Sequence, residues 1–374
     1  MKIVADDKIP FLKGVLEPYA KVEYLPGKSI ENSHLIDADA LLTRTRTCCN
    51  ENLLKHTSIQ FVGTATIGYD HIDTVWCEKQ GIVWKNAPGC NASSVNQYIA
   101  TTLVNLSDKF KFSLKDKALG VVGIGNVGSK VVHTAELMGM RVYLCDPPRV
   151  RSEGACSFIS LEGIIRECDI ITFHVPLNIS GPDKTYHMID HGLFSGVNPG
   201  TIIINTSRGE VADGKALKDA LLQGKIAGLV LDVWENEPEI DRELLNLCCL
   251  ATPHIAGYSA DGKARGTAMI IHELSRHFNL GIENWETNDI PEPVNPKIRI
   301  DCRGNSNEEI MKRAIMSTYD VKEDDRRLRE NPADFEKLRG EYPPRREFKA
   351  YTLFLENGEN ETKRFCRRMG FNVL

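Results

Sequence analysis

The sequence lacks any long apolar run and carries no large excess of either charge. None of its apolar stretches approaches the roughly 20 residues that a membrane-spanning helix needs. We therefore expect no membrane span, and the two acids Asp6 and Asp7 so near the start predict no signal peptide. A net charge of −5 over 374 residues favours binding to neither nucleic acid nor anionic lipid.

The cysteines show no pattern of disulfide or metal binding. There are 11 of them, an odd number, and no Cys-x-x-Cys spacing occurs. Most lie inside apolar runs, and two pairs are adjacent, at 48–49 and 248–249. These features disfavour a disulfide framework and a zinc site alike. We expect reduced thiols, no bound metal and a cytoplasmic protein.

Charge density separates the C-terminal region from the rest of the chain. Residues 291–374 contain 18 Lys or Arg and 16 Asp or Glu, so roughly 40% of them are charged, against roughly 22% before. Three prolines fall within residues 288–296 at this break, which is typical of a linker. The net charge of this region is only about +2, so its basic end predicts a solvated or interface helix rather than a nucleic-acid site.

Short apolar runs alternate with amphipathic stretches before that linker. Runs of strand type are Lys2–Val4, Ala40–Leu42, Ile59–Val62, Ala118–Val122, Arg141–Cys145, Ile170–Phe173, Thr201–Asn205, Ala227–Leu231 and Cys249–Ala251. Stretches with helical periodicity include Val95–Leu106, Val127–Leu137 and Ala216–Leu222. This alternation predicts an α/β protein with parallel sheets covered by helices.

A glycine-rich loop follows the run at 118–122. Gly123, Gly125 and Gly128 have the G-x-G-x-x-G spacing between a strand and an amphipathic helix. Such glycines permit a tight turn, close approach of a pyrophosphate, and close packing of helix on strand. Asp146 ends the next strand about 20 residues later, where a carboxylate accepts both ribose hydroxyls. We therefore predict NAD rather than NADP as cofactor, although the nearby Arg149 weakens that choice.

Three chemically useful side chains follow later strands. Arg208, Glu237 and His254 come after the runs that end near 205, 231 and 251. Because the carboxyl ends of parallel strands meet at one edge of a sheet, we expect them in one crevice beside the cofactor. There His254 is the candidate base for a substrate hydroxyl, Glu237 its orienting carboxylate, and Arg208 a two-point clamp for a substrate carboxylate.

These motifs together resemble the D-isomer-specific 2-hydroxyacid dehydrogenase family. The matching segments are 123–128, Asp146, 205–209, 232–238 and 253–257, in the family's order. The resemblance implies a Rossmann NAD-binding domain inserted into a flavodoxin-like substrate domain, plus a C-terminal α+β dimerisation domain. The implied divisions are residues 1–95 with a return segment at 258–285 for the substrate (lid) domain, 96–257 for NAD binding and 286–374 for dimerisation.

A narrower resemblance, carried by segments such as 63–68, 87–91, 145–148 and 262–267, is to a branch that oxidises a small phosphorylated 2-hydroxy acid. It implies a homodimer. It also assigns contacts by position: Thr45, Thr66 and Tyr258 to the substrate, and Gly123, Gly125, Asn126, Val127, Gly128, Asp146, Val175, Thr206, Ser207, Arg208, Asp232 and Gly257 to NAD. At 175 the branch carries a threonine, whereas Val175 has no hydroxyl, so the contact with the cofactor that is implied here is one of the backbone.

Two other functions stay open at this point. The first is a related dehydrogenase for another acid, such as 3-phosphoglycerate or an unphosphorylated acid. The second is a non-catalytic regulatory protein of the same fold that senses NADH, although the complete set of Arg208, Glu237 and His254 disfavours it. We also hypothesise that Arg345 and Arg346 lie at a dimer interface and that one of them reaches the neighbouring active site.

Overall fold

The computed structural model describes residues 1–154 and 157–374. The strands, in chain order, are β1 Lys2–Asp6, β2 Lys21–Leu25, β3 Ala40–Thr43, β4 Phe61–Thr64, β5 Val83–Lys85, β6 Ala118–Val122, β7 Arg141–Cys145, β8 Ile170–Phe173, β9 Ile202–Asn205, β10 Gly228–Leu231, β11 Leu250–Ala251, β12 Lys297–Asp301, β13 Thr352–Glu356 and β14 Asn372–Val373. The helices are α1 Asn32–Leu35, α2 Glu51–Leu54, α3 Thr74–Lys79, α4 Ala92–Phe110, α5 Asn126–Leu137, α6 Pro147–Glu153, α7 Leu161–Glu167, α8 His191–Ser195, α9 Gly214–Leu222, α10 Arg242–Leu247, α11 Ala260–Phe278, α12 Asn307–Met316, α13 Val321–Glu330, α14 Phe335–Gly340 and α15 Asn360–Arg368.

The first of two compact units comprises residues 1–91 and 259–291. Its five-stranded parallel sheet has the order β2-β1-β3-β4-β5, which is the flavodoxin-like order. Helix α11 begins at its N-cap Ser259, whose hydroxyl accepts a hydrogen bond from the Gly262 N–H, and it buries Ile270 and Leu274 in the core formed with β1, β3 and β4. This buried apolar stripe is what keeps the returning segment on the N-terminal sheet.

The second unit comprises residues 92–258 and 292–374. Its main sheet is parallel, with the order β11-β10-β9-β8-β6-β7. Strands β6, β8, β9 and β10 are buried at every position, as expected when helices cover both faces of a sheet. The strand order reverses at β6, which lies between β7 and β8, and ligands of such sheets bind beyond the strand ends at this point.

Residues 292–374 add a small parallel sheet to the same unit, in the order β12-β13-β14. Ile298, Ile300 and Leu353 of that sheet are buried in one cluster with Tyr98 and Leu103 of α4. Helix α12 starts with a capping box, in which its N-cap residue and the third helical residue exchange hydrogen bonds. The division into three domains stays a prediction, because the two compact units do not separate this region from the Rossmann part.

The predicted α/β class with parallel sheets is confirmed, and each of the nine apolar runs overlaps a strand. Strands β2, β5, β12, β13 and β14 were not predicted. Exposed charged or polar positions interrupt the apolar signal in β2, β5, β12 and β14, whereas β13 has three consecutive apolar residues and was missed without such a reason. Within the described residues, no helix is long and apolar enough to cross a bilayer. The ten cysteines that the structure describes are all free thiols.

Candidate active site

The site lies at the carboxyl edge of the second unit's main sheet. Strands β9, β10 and β11 are parallel neighbours, and the last residues of all three, Asn205, Leu231 and Ala251, are in register. The loops that leave this row carry Arg208, Glu237 and His254, respectively. The expected convergence at one sheet edge therefore follows directly from the pairing register.

Close packing joins the three loops. A Cβ atom on Gly209 would lie only 2.0 Å from the Trp234 carbonyl oxygen, so the loop after β9 touches the loop after β10 where only glycine fits. The indole N–H of Trp234 donates to the Thr252 carbonyl at 3.0 Å, which links the loop after β10 to the loop after β11. Arg208 is thereby held beside the loop of Glu237.

Glu237 and His254 form a direct pair. Glu237 Oε2 lies 2.8 Å from His254 Nδ1, and Oε1 accepts the Trp234 backbone N–H at 2.9 Å. Burial raises the pKa of Glu237, but the charge and hydrogen bond of His254, the Trp234 N–H and the charge of Arg339 more than offset it. The resulting pKa is below the usual value for a glutamate, so Glu237 is an ionised acceptor at neutral pH.

Asp232 holds the backbone around His254. His254 has a positive φ of 56°, a region that non-glycine residues rarely adopt, and its N–H donates to the Asp232 carbonyl at 2.7 Å. The carboxylate of Asp232 accepts the Thr252 hydroxyl at 2.6 Å and the N–H groups of Ile255 and Ala256 at 2.7 and 2.9 Å. Burial raises the pKa of this carboxyl above its usual value, and the charge of His254 and these hydrogen bonds offset only part of that rise. The structure thus shows Asp232 as a loop anchor, and its contact with NAD stays a prediction.

The glycine-rich loop fits a pyrophosphate. Gly123 has a φ of 88°, and a Cβ there would lie 2.5 Å from the His174 carbonyl oxygen. A Cβ on Gly128 would lie 2.0 Å from the Gly123 carbonyl oxygen, whereas a Cβ on Gly125 would meet nothing within 4 Å. Gly125 is the N-cap of α5, so this open space stands over the first N–H groups of the helix, where Asn126 begins the first turn.

Asp146 is tied to the same loop. Its Oδ2 accepts the Ile124 N–H at 2.7 Å, and its Oδ1 accepts the Arg149 N–H at 3.1 Å. The guanidinium of Arg149 donates to the Ile124 carbonyl at 3.0 Å and to the Glu153 carboxylate at 2.8 and 2.6 Å. Because Glu153 balances the charge of Arg149, the argument that Arg149 favours a 2′-phosphate is weakened, and NAD remains the better fit.

The other predicted cofactor residues lie in the first turn of α5 or in the loops that follow β8, β9 and β11. Thr206 Oγ1 is 3.4 Å from His174 Nδ1, and the Ser207 hydroxyl donates to Asn205 Oδ1 at 2.7 Å. Arg208 Nη1 donates to the Ser207 carbonyl at 2.8 Å. The remaining three are Val127 in the first turn of α5, Val175 two residues beyond β8 and Gly257 in the loop of His254. Their contacts with NAD stay predictions.

Two predicted substrate residues belong to the first unit. Thr45 is exposed, two residues beyond β3. Thr66 follows β4, and its hydroxyl donates to the Gly68 carbonyl at 2.9 Å and lies 2.8 Å from the Thr64 hydroxyl. Both are at carboxyl ends of neighbouring strands of their own sheet, and their roles stay predictions.

Arg339 of α14 is a neighbour of the site that the sequence analysis did not identify. Its Nε donates to the Tyr258 hydroxyl oxygen at 2.9 Å, and its Nη1 lies 3.9 Å from Glu237 Oε2. Only its place in a highly charged region was visible in the sequence, and most such arginines are solvated. In the part of the chain that the structure describes, no group of three His, Cys, Asp or Glu side chains could hold a metal ion.

Two family models and several full-length relatives match this chain. Residues 91–256 match the family model for the D-isomer specific 2-hydroxyacid dehydrogenase, NAD binding domain, and residues 290–367 match a domain of unknown function (DUF3410). The erythronate-4-phosphate dehydrogenase of Bacteroides thetaiotaomicron is 48% identical over 94% of this chain and 99% of its own. That of Escherichia coli is 40% identical over 100% of this chain and 99% of its own.

Solved structures show the same architecture. The D-lactate dehydrogenase from Aquifex aeolicus, complexed with NAD and lactic acid, superposes with a TM-score of 0.63 at 27% identity, covering 75% of this chain and 96% of that one. The NAD-bound 3-phosphoglycerate dehydrogenase of Entamoeba histolytica, at 24% identity, shares the fold with a TM-score of 0.64, over 77% of this chain and 99% of that one. The chain belongs to the D-isomer specific 2-hydroxyacid dehydrogenases and, within them, to the erythronate-4-phosphate dehydrogenase family.

Proposed function

We propose that the protein oxidises 4-phospho-D-erythronate to (R)-3-hydroxy-2-oxo-4-phosphobutanoate with NAD, as a step of pyridoxine 5′-phosphate biosynthesis. The names of its full-length relatives support this substrate. The observation that carries the chemistry is the 2.8 Å contact between His254 Nδ1 and Glu237 Oε2, at the same sheet edge as the dinucleotide loop. An oriented histidine beside a hydride acceptor is what oxidation of a secondary alcohol requires.

His254 takes the proton of the substrate hydroxyl. Glu237 is ionised and only accepts hydrogen bonds, so it holds the imidazole proton on Nδ1 and leaves Nε2 unprotonated as the base. As the proton arrives at Nε2, the ring becomes an imidazolium, which the Glu237 carboxylate stabilises. The Asp232 contacts keep the loop, and with it the ring, in place.

Arg208 binds the substrate carboxylate. Its Nη1 is tied to the Ser207 carbonyl at 2.8 Å, which orients the guanidinium near the end of β9. A planar guanidinium grips a carboxylate at two points and polarises the carbonyl that forms beside it. The glycine-rich loop at 123–128 would hold NAD, which would supply the hydride acceptor when bound.

The finer partner assignments belong to the same proposal. Thr45, Thr66 and Tyr258 contact the substrate, as the resemblance implies. Two copies of the chain associate through residues 286–374. The reaction takes place in the cytoplasm and involves neither nucleic acid nor a membrane. Light scattering on a size-exclusion column tests the dimer: a particle of one chain mass at micromolar concentration would contradict it.

A turnover assay tests the function. The purified protein receives NAD with 4-phosphoerythronate, 3-phosphoglycerate or erythronate in parallel, plus a 2-oxo acid that reoxidises any NADH that stays bound. We expect turnover on 4-phosphoerythronate alone, and its loss by several orders of magnitude in His254→Ala with NAD binding intact. Arg208→Lys should also be severely impaired, since lysine offers a point charge without a two-point grip. No turnover on any acid despite NAD binding would replace this proposal with the regulatory function.

A further inference from the structure

Arg339 lies behind the pair formed by Glu237 and His254. Its Nη1 is 3.9 Å from the same Glu237 oxygen that contacts His254, and its Nε donates to the Tyr258 hydroxyl at 2.9 Å. Its guanidinium also lies over the Tyr258 ring, 5.8 Å from the centroid. One side chain of the C-terminal region thus touches two residues next to the candidate base.

A tight structural salt bridge does not explain this arrangement. The side chain of Arg339 is 14% exposed, and its 3.9 Å contact with Glu237 is longer than a hydrogen bond. Burial lowers the pKa of Arg339, but Tyr258, Glu237 and Glu336 more than restore it, so the group remains charged. The charged guanidinium is thus held between the Tyr258 hydroxyl and the Glu237 carboxylate, where it can act on both groups.

The same C-terminal segment holds the His254 loop at a second point. Arg345 is almost fully buried and donates through Nη2 to the carbonyls of Ile255 and Ala256, at 3.3 and 2.5 Å. Its guanidinium packs 4.4 Å from the centroid of the Tyr319 ring. Its Nε and Nη1 are buried without a hydrogen-bond partner among the described residues, and its place at a dimer interface stays a hypothesis. The segment from α14 to Arg345 is fastened to the backbone on which His254 and Tyr258 lie.

We propose that Arg339 is a positioning residue of the active site, through which the C-terminal region orients Glu237 and Tyr258 around His254. This inference rests on the proposed function. The cation stabilises the Glu237 carboxylate, which in turn holds the imidazole proton on Nδ1 of His254. Its bond to the Tyr258 oxygen makes that oxygen an acceptor, which turns the hydroxyl hydrogen away from Arg339.

The kinetic test compares Arg339→Gln, Arg339→Lys and the control Arg326→Gln in the full chain. Arg326 is an exposed arginine of α13 whose guanidinium donates to Glu323 and Glu330 of its own helix. We expect Arg339→Gln to lower kcat/KM for 4-phosphoerythronate about 10- to 100-fold, with NAD affinity unchanged. Arg339→Lys should recover part of the loss because its ammonium can still contact the Glu237 carboxylate and hold it in place, and the control should match the parent protein.

The pH profile separates positioning from simple structural damage. Glu237 contacts the His254 ring, Asp232 interacts with its charge, and Arg339 lies 3.9 Å from the same Glu237 oxygen. The other titratable or charged groups of the adjoining loops are Tyr258, four residues beyond His254, and Arg208 after β9. With the Arg339 charge removed, the ring takes up a proton more readily, so the acidic limb of kcat/KM should move to higher pH by about 0.5–1 unit. Arg339→Lys should leave the limb in place. An unmoved limb in Arg339→Gln, whether the rate is normal or reduced without rescue by lysine, would overturn the inference.

A second measurement does not depend on the substrate. If the parent protein fails to oxidise 4-phosphoerythronate, the proposed function fails, but the role of Arg339 is still tested in the NAD-bound chain. The titration midpoint of His254 is followed by NMR with labelled histidine and assigned with a His254→Asn variant. A higher midpoint in Arg339→Gln than in the parent supports the inference, and an equal midpoint refutes it.

Discussion

Replacing Glu237 with glutamine tests the proposed catalytic pair most directly. The substitution keeps the size of the side chain but removes the charge that faces His254 Nδ1 at 2.8 Å. The new amide has one oxygen for two donors, the Trp234 N–H at 2.9 Å and the imidazole N–H. If the oxygen takes the Trp234 N–H, the amide NH₂ faces the ring and favours the tautomer with its proton on the base nitrogen.

The expected loss follows from the hydrogen bond. A hydrogen bond to a charged group contributes about 1.5–3 kcal/mol, and this one strengthens as the ring becomes an imidazolium. Since about 1.4 kcal/mol corresponds to a factor of ten, kcat should fall by about 10- to 150-fold from the lost charge alone. The unfavourable tautomer adds to this loss, as with the Asp-to-Asn change in the serine protease triad, where the drop is about 10⁴-fold.

The assay follows NADH absorbance in Glu237→Gln and in the matched control Glu235→Gln. Glu235 lies on the same loop, but its carboxylate contacts His187 Nε2 at 2.7 Å and the Gly214 N–H at 2.8 Å instead. The control loses the same charge and should keep kcat within about twofold of the parent, since its carboxylate faces these partners rather than the base. A parent-like kcat in Glu237→Gln, or an equal loss in both variants, would refute the reasoning.

Three further predictions concern the cofactor loop and pH. Gly125→Ala should leave the melting temperature unchanged, because its methyl group enters open space, but it should weaken NAD binding, because that space is where the pyrophosphate is expected. Gly128→Ala should instead destabilise the fold by about 1–3 kcal/mol, because its Cβ would lie 2.0 Å from the Gly123 carbonyl oxygen. Thermal unfolding and NAD titration separate the two. Asp146→Ala should lower the NAD-to-NADP preference in kcat/KM, and an unchanged ratio would make Asp146 purely structural. Since the pKa of Glu237 is lowered in the folded protein, the stability that its ionised form provides should be complete above about pH 4.3 and lost as the pH falls below it. The free energy of unfolding, measured with denaturant, should therefore fall less steeply with decreasing pH in Glu237→Gln than in the parent protein.

The strands were predictable wherever burial on both faces of a sheet requires a run of apolar residues in the sequence. The fully buried strands β6, β8, β9 and β10 are mostly apolar, with Thr172 and Asn205 as buried polar exceptions, and all four were predicted. Strand β2 was not, because Lys21 and Glu23 interrupt it and no position is fully buried. Strand β12 of the C-terminal sheet was missed for a similar reason: its Lys297 and Arg299 are exposed, and only the alternate positions pack inward.

The candidate site, too, was predictable in part. Arg208, Glu237 and His254 could be predicted to converge because parallel strands bring their carboxyl ends to one edge, and family, enzyme class and NAD were confirmed by the comparisons. The partner of Asp232 could not be predicted, because its carboxylate turns back to the N–H groups of Ile255 and Ala256. Such bonds depend on the path of a loop, which has no periodicity.

The sequence by itself determined nine of the fourteen strands, the glycine-rich loop and the candidate reacting groups, because those properties depend on residue type and local spacing. Only the tertiary structure decided that Arg339, more than 80 residues beyond Tyr258, lies 2.9 Å from the Tyr258 hydroxyl. In the sequence it is one arginine among many in a charged region. Its significance comes from burial beside a carboxylate that already serves a histidine, and burial is set by long-range packing.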